Sequence, residues 1–168
     1  KSTATESAHV SEVVLMAALG RHDVSFQLTR DGRRVREYVV QSERAGRVRE
    51  VFDDDSLASV RSERGAFAVE AYLAPPAGAR AGSQGLHLFV NGRPVRDVKL
   101  ARAVAHAYGA MLEPGRYPVG VVYIDVPYED VDVNVHPQKA EVRFRDARAM
   151  FEFLAREIGA KLGVFRAS

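Results

Sequence analysis

The run from Val119 to Val126, V-G-V-V-Y-I-D-V, constrains this chain more than any other stretch. It is nearly continuous apolar sequence, without the strict alternation of a strand that has one wet face. Such a run fits a central strand covered on both faces. The rest of the sequence must then supply its neighbours and the helices that cover it.

The neighbours are legible in order. Thr3-Ala4-Thr5-Glu6 has the form of a capping box, with Thr3 as N-cap. Val10, Val13, Val14 and Ala17 follow at helical spacing, with Gly20 as the closing C′ glycine, so a helix is expected from about Ala4 to Leu19. A hairpin comes next: Val24, Phe26 and Leu28 alternate with polar residues, Asp31-Gly32 makes a two-residue turn, and Val35 to Val40 return. Gln41 to Ser59 is the least informative part. Val48 to Phe52 is compatible with a helical turn, and Asp53-Asp54-Asp55 reads as an acidic loop, since consecutive carboxylates cannot all face one ion. Phe67, Val69, Ala71 and Leu73 line a strand that stops at Pro75-Pro76, and Ala77 to Ser83 reads as a flexible loop. Leu86 to Val90 is a further strand, turned by Asn91-Gly92 into Arg93-Pro94-Val95. Asp97 is placed to cap a helix with Leu100, Ala103, Val104 and Ala107 on its buried stripe, and Pro114-Gly115 ends that excursion. A last helix, capped by Asp146, carries Phe151, Leu154, Ile158 and Leu162 as its stripe. Strands followed by crossing helices, with hairpins at the start, predict an α+β domain, a mixed α/β two-layer sandwich.

Length and composition exclude several classes. The 168 residues suffice for one domain with a real core. No apolar run approaches the roughly 18 residues of a membrane span, and no signal-peptide pattern opens the chain. With no cysteine there is no disulfide framework, zinc finger or thiol nucleophile. The net charge is only +2, so affinity for nucleic acid would require local clustering. Basic residues do cluster, at Arg30, Arg33, Arg34 and Arg36; at Arg44, Arg47 and Arg49; and at Arg93, Arg96, Lys99 and Arg102. Each cluster taken alone reads most simply as a solvated face. No Walker-type G-x-x-x-x-G-K-[ST] loop and no G-x-G-x-x-G fingerprint occurs, so nothing here cradles a nucleotide unaided. The chain opens on Lys1-Ser2-Thr3 without a methionine, as an excised fragment would.

The stretch Val131 to Phe144, V-D-V-N-V-H-P-Q-K-A-E-V-R-F, concentrates the chemistry. Val131, Val133 and Val135 alternate with Asp132, Asn134 and His136, which predicts an extended segment with one apolar face. Pro137 fixes its own φ and biases His136 away from the α region, so the chain turns there. Lys139 falls on that turn before Glu141 to Phe144 resume as a strand, and an ammonium between two strands is well placed to reach a phosphate. Asp132, Asn134 and His136 are open to three readings: metal ligands, acid–base groups, or hydrogen-bonding support for the lysine loop. Nothing nearby supplies the partners that the first two need, which favours support, and no metal site is expected. The other histidines, His9, His22, His87 and His106, are scattered singly.

The run D-V-N-V-H-P-Q-K-A-E-V-R-F resembles the signature of the DNA mismatch-repair MutL family, and F-V-N-G-R-P-V-R-D at Phe89 to Asp97, about forty residues upstream, resembles a second one. Both lie in the family's transducer domain, which follows a GHKL-type ATPase domain. The likeness covers most of the chain and is weakest between about Gln41 and Ala66. It implies a ribosomal protein S5 domain 2-like fold, a single transducer domain over 1–168, and a leading helix at 1–20 that connects to the ATPase domain. By resemblance, Lys139 contacts the ATP γ-phosphate in the longer parent protein, while Asp132, Asn134, His136 and Pro137 support its loop. Arg93, Arg96, Lys99 and Arg102 then contribute to a groove that binds double- and single-stranded DNA without sequence preference. ATP and Mg belong to the parent, and the fragment alone is expected to bind neither and to hydrolyse nothing. MutS and the adjacent ATPase domain are the implied partners, in a homodimeric parent and a monomeric fragment. The implied setting is the bacterial cytoplasm, at the nucleoid when acting on DNA.

Other readings predict different behaviour. A type II topoisomerase-like GHKL transducer keeps the fold, but the full H-P-Q-K-A-E-V-R-F run argues against it. A stand-alone S5-like module would bind nucleic acid in a salt-sensitive way without regard to ATP, and a pure interaction domain would bind no DNA.

Overall fold

The computed structural model describes residues 2–133 and 141–166. The chain divides into two compact units, Lys1–Asp55 and Ser56–Ser168. Among the described residues, no helix is long and apolar enough to cross a membrane.

The first unit opens with α1 (Thr3–Gly20). Its N-cap is Ser2, one residue earlier than the sequence suggests: the Ser2 hydroxyl accepts from the Thr5 amide at 3.1 Å. Gly20 is its last helical residue, and Arg21 makes the C-cap. Only Ala18 and Leu19 are buried in this helix, whereas Val10 and Val13 of the expected stripe stand exposed. Strands β1 (Phe26–Arg30) and β2 (Arg33–Tyr38) form the expected hairpin. Asp31 and Gly32 both take positive φ, 53° and 75°, as a type I′ turn requires. The segment thought least informative contains α2 (Arg44–Phe52), of nine residues. Its signal is faint because only Val48, Val51 and Phe52 are large and apolar in R-A-G-R-V-R-E-V-F.

The unit is built around Arg47, which corrects the reading of Arg44, Arg47 and Arg49 as one solvated cluster. Arg47 is completely buried. Its Nη1 donates to the carbonyls of Ala18 and Arg21 at 2.7 and 2.9 Å. Its Nη2 donates to those of His22, Val24 and Val39 at 3.3, 2.6 and 2.7 Å. Its Nε donates to Glu50 at 3.1 Å, and the guanidinium lies over the rings of Phe26 and Tyr38, 5.7 and 6.0 Å from their centroids. Every donor of the fork is therefore used, which is the condition for placing a cation inside. One side chain caps the C-terminus of α1 and ties both ends of the hairpin.

The second unit is a five-stranded sheet under helices. Its strands are β3 (Ala58–Arg64), β4 (Phe67–Leu73), β5 (Leu86–Val90), β6 (Arg93–Val95) and β7 (Gly120–Asp125), in the spatial order β3-β4-β7-β5-β6. Strand β7 is central, as its apolar run requires: antiparallel to β4, with Val69 opposite Ile124, and parallel to β5, with Leu88 opposite Val122. A parallel neighbour demands a crossover, and α3 (Val98–Ala107) lies in it. Gly120 is what lets the strands close here: a Cβ on it would stand 2.2 Å from the Tyr72 carbonyl. Strand β3 escaped sequence reading because A-S-V-R-S-E-R holds only two apolar side chains, Ala58 and Val60, both buried.

Val60, Val69, Ala71, Leu73, Leu88, Val90, Val122 and Ile124 face the helix layer and form one core with it. In α4 (Ala147–Lys161) the buried positions are Met150, Phe153, Leu154 and Ile158, with Leu162 just beyond. Phe151, expected in the stripe, is 37% exposed and lies against the His106 ring instead, because Met150 and Phe153 turn the buried face by one position. A Cβ on Gly159 would come 3.2 Å from the Ala107 carbonyl, which shows how closely α4 crosses α3. At the sheet edge Glu157 accepts from the Ser62 hydroxyl at 2.5 Å and pairs with Arg64 at 3.0 Å, and these contacts hold its carboxyl below the usual range. Tyr108, buried in the core, donates its hydroxyl to the Ala74 carbonyl at 2.7 Å, and burial pushes its phenol up. The segment Ala77 to Ser83 is less free than its composition implies. A 3₁₀ turn spans Pro76–Gly78, and Arg80 exchanges two backbone hydrogen bonds with Tyr117, at 2.9 and 2.8 Å.

Replacing Arg47 with alanine strands a set of inward-facing carbonyls, and the loss expected for breaking a buried charge network is about 3–5 kcal/mol. Hydrogen exchange by residue checks this: Arg47→Ala is expected to speed exchange in α1, β1 and β2 and to leave β4 and β7 protected.

Candidate functional site

The site grows from the end of β7. Asn91 and Gly92 take φ of 50° and 80°, so the N-G turn is left-handed at both positions. The Asn91 amide donates to the Ile124 carbonyl at 2.8 Å, and its side-chain oxygen accepts from the Val126 amide at 2.9 Å. The turn is thereby stitched to the end of the central strand. Strand β6 leaves the turn as the sheet's edge, where Pro94 costs no ladder bond.

Asp97 follows, and it does more than the cap expected of it. Its Oδ1 accepts from the Lys99 and Leu100 amides at 2.9 and 3.2 Å, capping α3. Its Oδ2 accepts from the Val142 amide at 3.2 Å. Val142 opens β9 (Val142–Phe144), which pairs antiparallel with β8 (Val131–Val133). The register sets Val131 opposite Phe144, Asp132 opposite Arg143 and Val133 opposite Val142. Val131 and Val133 pack on the core and Asp132 is exposed, as the alternation predicts. Below the pair, the Arg145 amide donates to the Asp130 carbonyl at 2.7 Å, closing its base.

The connection between β8 and β9 contains Asn134, His136, Pro137 and Lys139, and all four lie outside the described residues. Arg93, Arg96, Lys99 and Arg102 are all exposed along β6 and α3, and none makes an ion pair among the described residues. Among the described residues neither Asp97 nor Asp125 pairs with this strip, and the Asp97 carboxylate accepts from three backbone amides instead. The structure thus joins the start of α3, within the basic strip, to the connection end of the β8–β9 pair through one side chain. Sequence reasoning saw Asp97 as a cap and Asn91 as a turn residue. Their long-range bonds carry no local sequence signal.

With this geometry in place, similarity to known proteins identifies the class. A family profile described as "DNA mismatch repair protein, C-terminal domain" matches residues 48–163. The DNA mismatch repair protein MutL of Anaeromyxobacter dehalogenans (strain 2CP-C) is 41% identical over 165 residues, covering 96% of this chain and 27% of that protein. Among solved structures, the ATPase domain from the bacterial mismatch repair endonuclease Aquifex aeolicus MutL superposes with a TM-score of 0.67 at 24% identity, covering 96% of this chain and 54% of that one. The Aquifex aeolicus MutL ATPase domain complexed with ADP superposes with a TM-score of 0.63 at 20% identity, covering 94% and 50%. The fold is the α+β arrangement expected. The chain belongs to the MutL family of DNA mismatch-repair proteins. It spans about a quarter of the length of the curated relative above, 27%.

Asp97→Ala removes the α3 cap and the tie to β9 together, and a stability loss of about 1–2 kcal/mol is expected by denaturant titration. Asp97→Asn keeps one accepting oxygen in place of two and is expected to lose roughly half as much.

Proposed function

We propose that this chain works as the transducer of a MutL-type mismatch-repair protein. It couples ATP binding and hydrolysis in an adjacent GHKL ATPase domain to DNA contact and to signalling from MutS to downstream repair factors. The observation that carries this reading is the shared Asp97 carboxylate, which bonds both the N-terminus of the helix bearing Lys99 and Arg102 and the strand that follows Lys139. A change at the β8–β9 connection therefore has a direct mechanical route to the basic strip.

In this reading Lys139 reaches the γ-phosphate of ATP held with Mg in the ATPase domain. Negative charge on the phosphoryl oxygens is stabilised by a positioned cation in a site that excludes water. Because the contact exists only while the γ-phosphate is present, hydrolysis releases the hairpin and changes how the two domains dock. Asp132, Asn134, His136 and Pro137 set the loop's shape. Arg93, Arg96, Lys99 and Arg102 meet phosphates of double- or single-stranded DNA without reading bases, so this binding weakens as salt rises. The chain alone hydrolyses no ATP. The longer protein acts as a homodimer in the bacterial cytoplasm, and the 168-residue chain by itself is a monomer. The ADP held by the related Aquifex aeolicus ATPase domain supports a nucleotide in the parent.

Steady-state ATP hydrolysis by the full-length protein tests the reading. Lys139→Ala is expected to lower the rate about ten-fold or more, roughly 1.4 kcal/mol in the barrier. An unchanged rate removes Lys139 from the nucleotide site.

A further inference from the structure

The β1–β2 hairpin holds a group of arginines that the transducer reading leaves unused. From Arg30 to Glu37 the sequence reads R-D-G-R-R-V-R-E, four guanidiniums against two carboxylates, an excess equal to the net charge of +2 on the whole chain. Every residue of this span is exposed. Arg34 pairs with Glu37 at 2.6 Å, and Arg36 stands beside Tyr38. Arg30 and Arg33 are different. They are register partners directly across the Asp31-Gly32 turn, and neither has a partner among the described residues. Like charges facing each other in a ladder are destabilising, so the turn carries a repulsion that the fold does not relieve internally.

We propose that Arg30 and Arg33 form a clamp for the phosphodiester backbone of duplex DNA, a second contact separate from the strip at Arg93 to Arg102. An anion between the two guanidiniums converts their repulsion into two charge-assisted contacts, and the planar fork of arginine suits phosphate oxygens. Presentation is preorganised from below, because Arg47 fixes the Val24 and Val39 carbonyls at 2.6 and 2.7 Å. A register shift between Leu28 and Thr29, where Leu28 faces Arg36 and Thr29 faces Arg34, leaves Val35 as an extra residue. Such a bulge adds right-handed twist to the ribbon. A two-stranded ribbon of this kind is narrow enough to lie along the major groove, about 12 Å wide, with its tip on the phosphates. The proposal rests on the reading that this chain works on DNA, and not on the role of Lys139.

The test is DNA affinity of the full-length protein across a salt series, on a duplex and on a single strand of the same sequence. Arg30→Gln/Arg33→Gln is expected to weaken duplex binding several-fold and to flatten the plot of log affinity against log salt by about one for each arginine. Arg30→Lys/Arg33→Lys, which keeps the charge, is expected to retain the slope, so a flattened slope in the glutamine variant alone separates lost phosphate contacts from a disturbed hairpin. Unchanged affinity and slope on the duplex overturn the proposal, as does a change seen only on the single strand. Arg93→Gln/Arg96→Gln in the same series reports on the other strip, and Lys139→Ala is read by turnover instead, so failure of either earlier assignment is distinguishable from failure of this one.

Discussion

Strand β7 has no free edge, and the second unit is arranged by that fact. Its apolar side chains are wetted on neither face, so it must be paired on both sides and covered. Antiparallel β4 fills one side through Gly120, the position where a side chain would strike the Tyr72 carbonyl. Parallel β5 fills the other, and a parallel pair cannot be joined by a tight turn. The crossover between them carries α3, whose N-cap Asp97 also bonds the Val142 amide. Asn91 and Asp97 then complete the join: one bonds the end of the central strand, the other bonds the hairpin that grows from it. The basic strip and the β8–β9 pair are tied together by that Asp97 carboxylate.

The two units use opposite solutions to the problem of holding backbone together. In the second, apolar side chains from strands and helices make a contiguous core. In the first, the buried centre is a guanidinium surrounded by main-chain carbonyls and two aromatic rings. A buried cation contributes little net stability when fully paired, and its removal is costly because the acceptors stay behind. What Arg47 supplies is geometry: it sets where α1 ends and where the hairpin starts, and through the hairpin where Arg30 and Arg33 are presented.

Much of this was readable from residues alone, and the failures have physical causes. Strong periodic signals gave true elements: the apolar run of β7, the Asp31-Gly32 and Asn91-Gly92 turns, the Asp97 and Asp146 caps, and the alternation through Val131 and Val133. Strand β3 was missed because a strand carrying Arg61, Ser62, Glu63 and Arg64 shows no pattern until its partner β4 is known. Helix α2 was only half seen for the same reason, since its largest contribution comes from an arginine. Arg47 looked like its neighbours Arg44 and Arg49, because burial of a charge is decided by carbonyls distant in sequence. Phe151 was placed one position wrong on α4, where Met150 and Phe153 offered an equally apolar stripe. In the candidate site the one-letter signals named Asp97 and Asn91 correctly as local devices, while their second bonds, to Val142 and Val126, depend on the folded sheet. The roles proposed for Asn134, His136, Pro137 and Lys139 rest on the signature run itself.

We propose that the γ-phosphate, through Lys139, sets the state of the β8–β9 pair and through Asp97 that of α3. Hydrogen exchange of the full-length protein, compared with a non-hydrolysable ATP analogue and with ADP, addresses it most directly. The account predicts slower exchange at the Val142, Lys99 and Leu100 amides with the analogue than with ADP, while the interior of β7 is unchanged. Equal exchange at those three amides in both nucleotide states would contradict it.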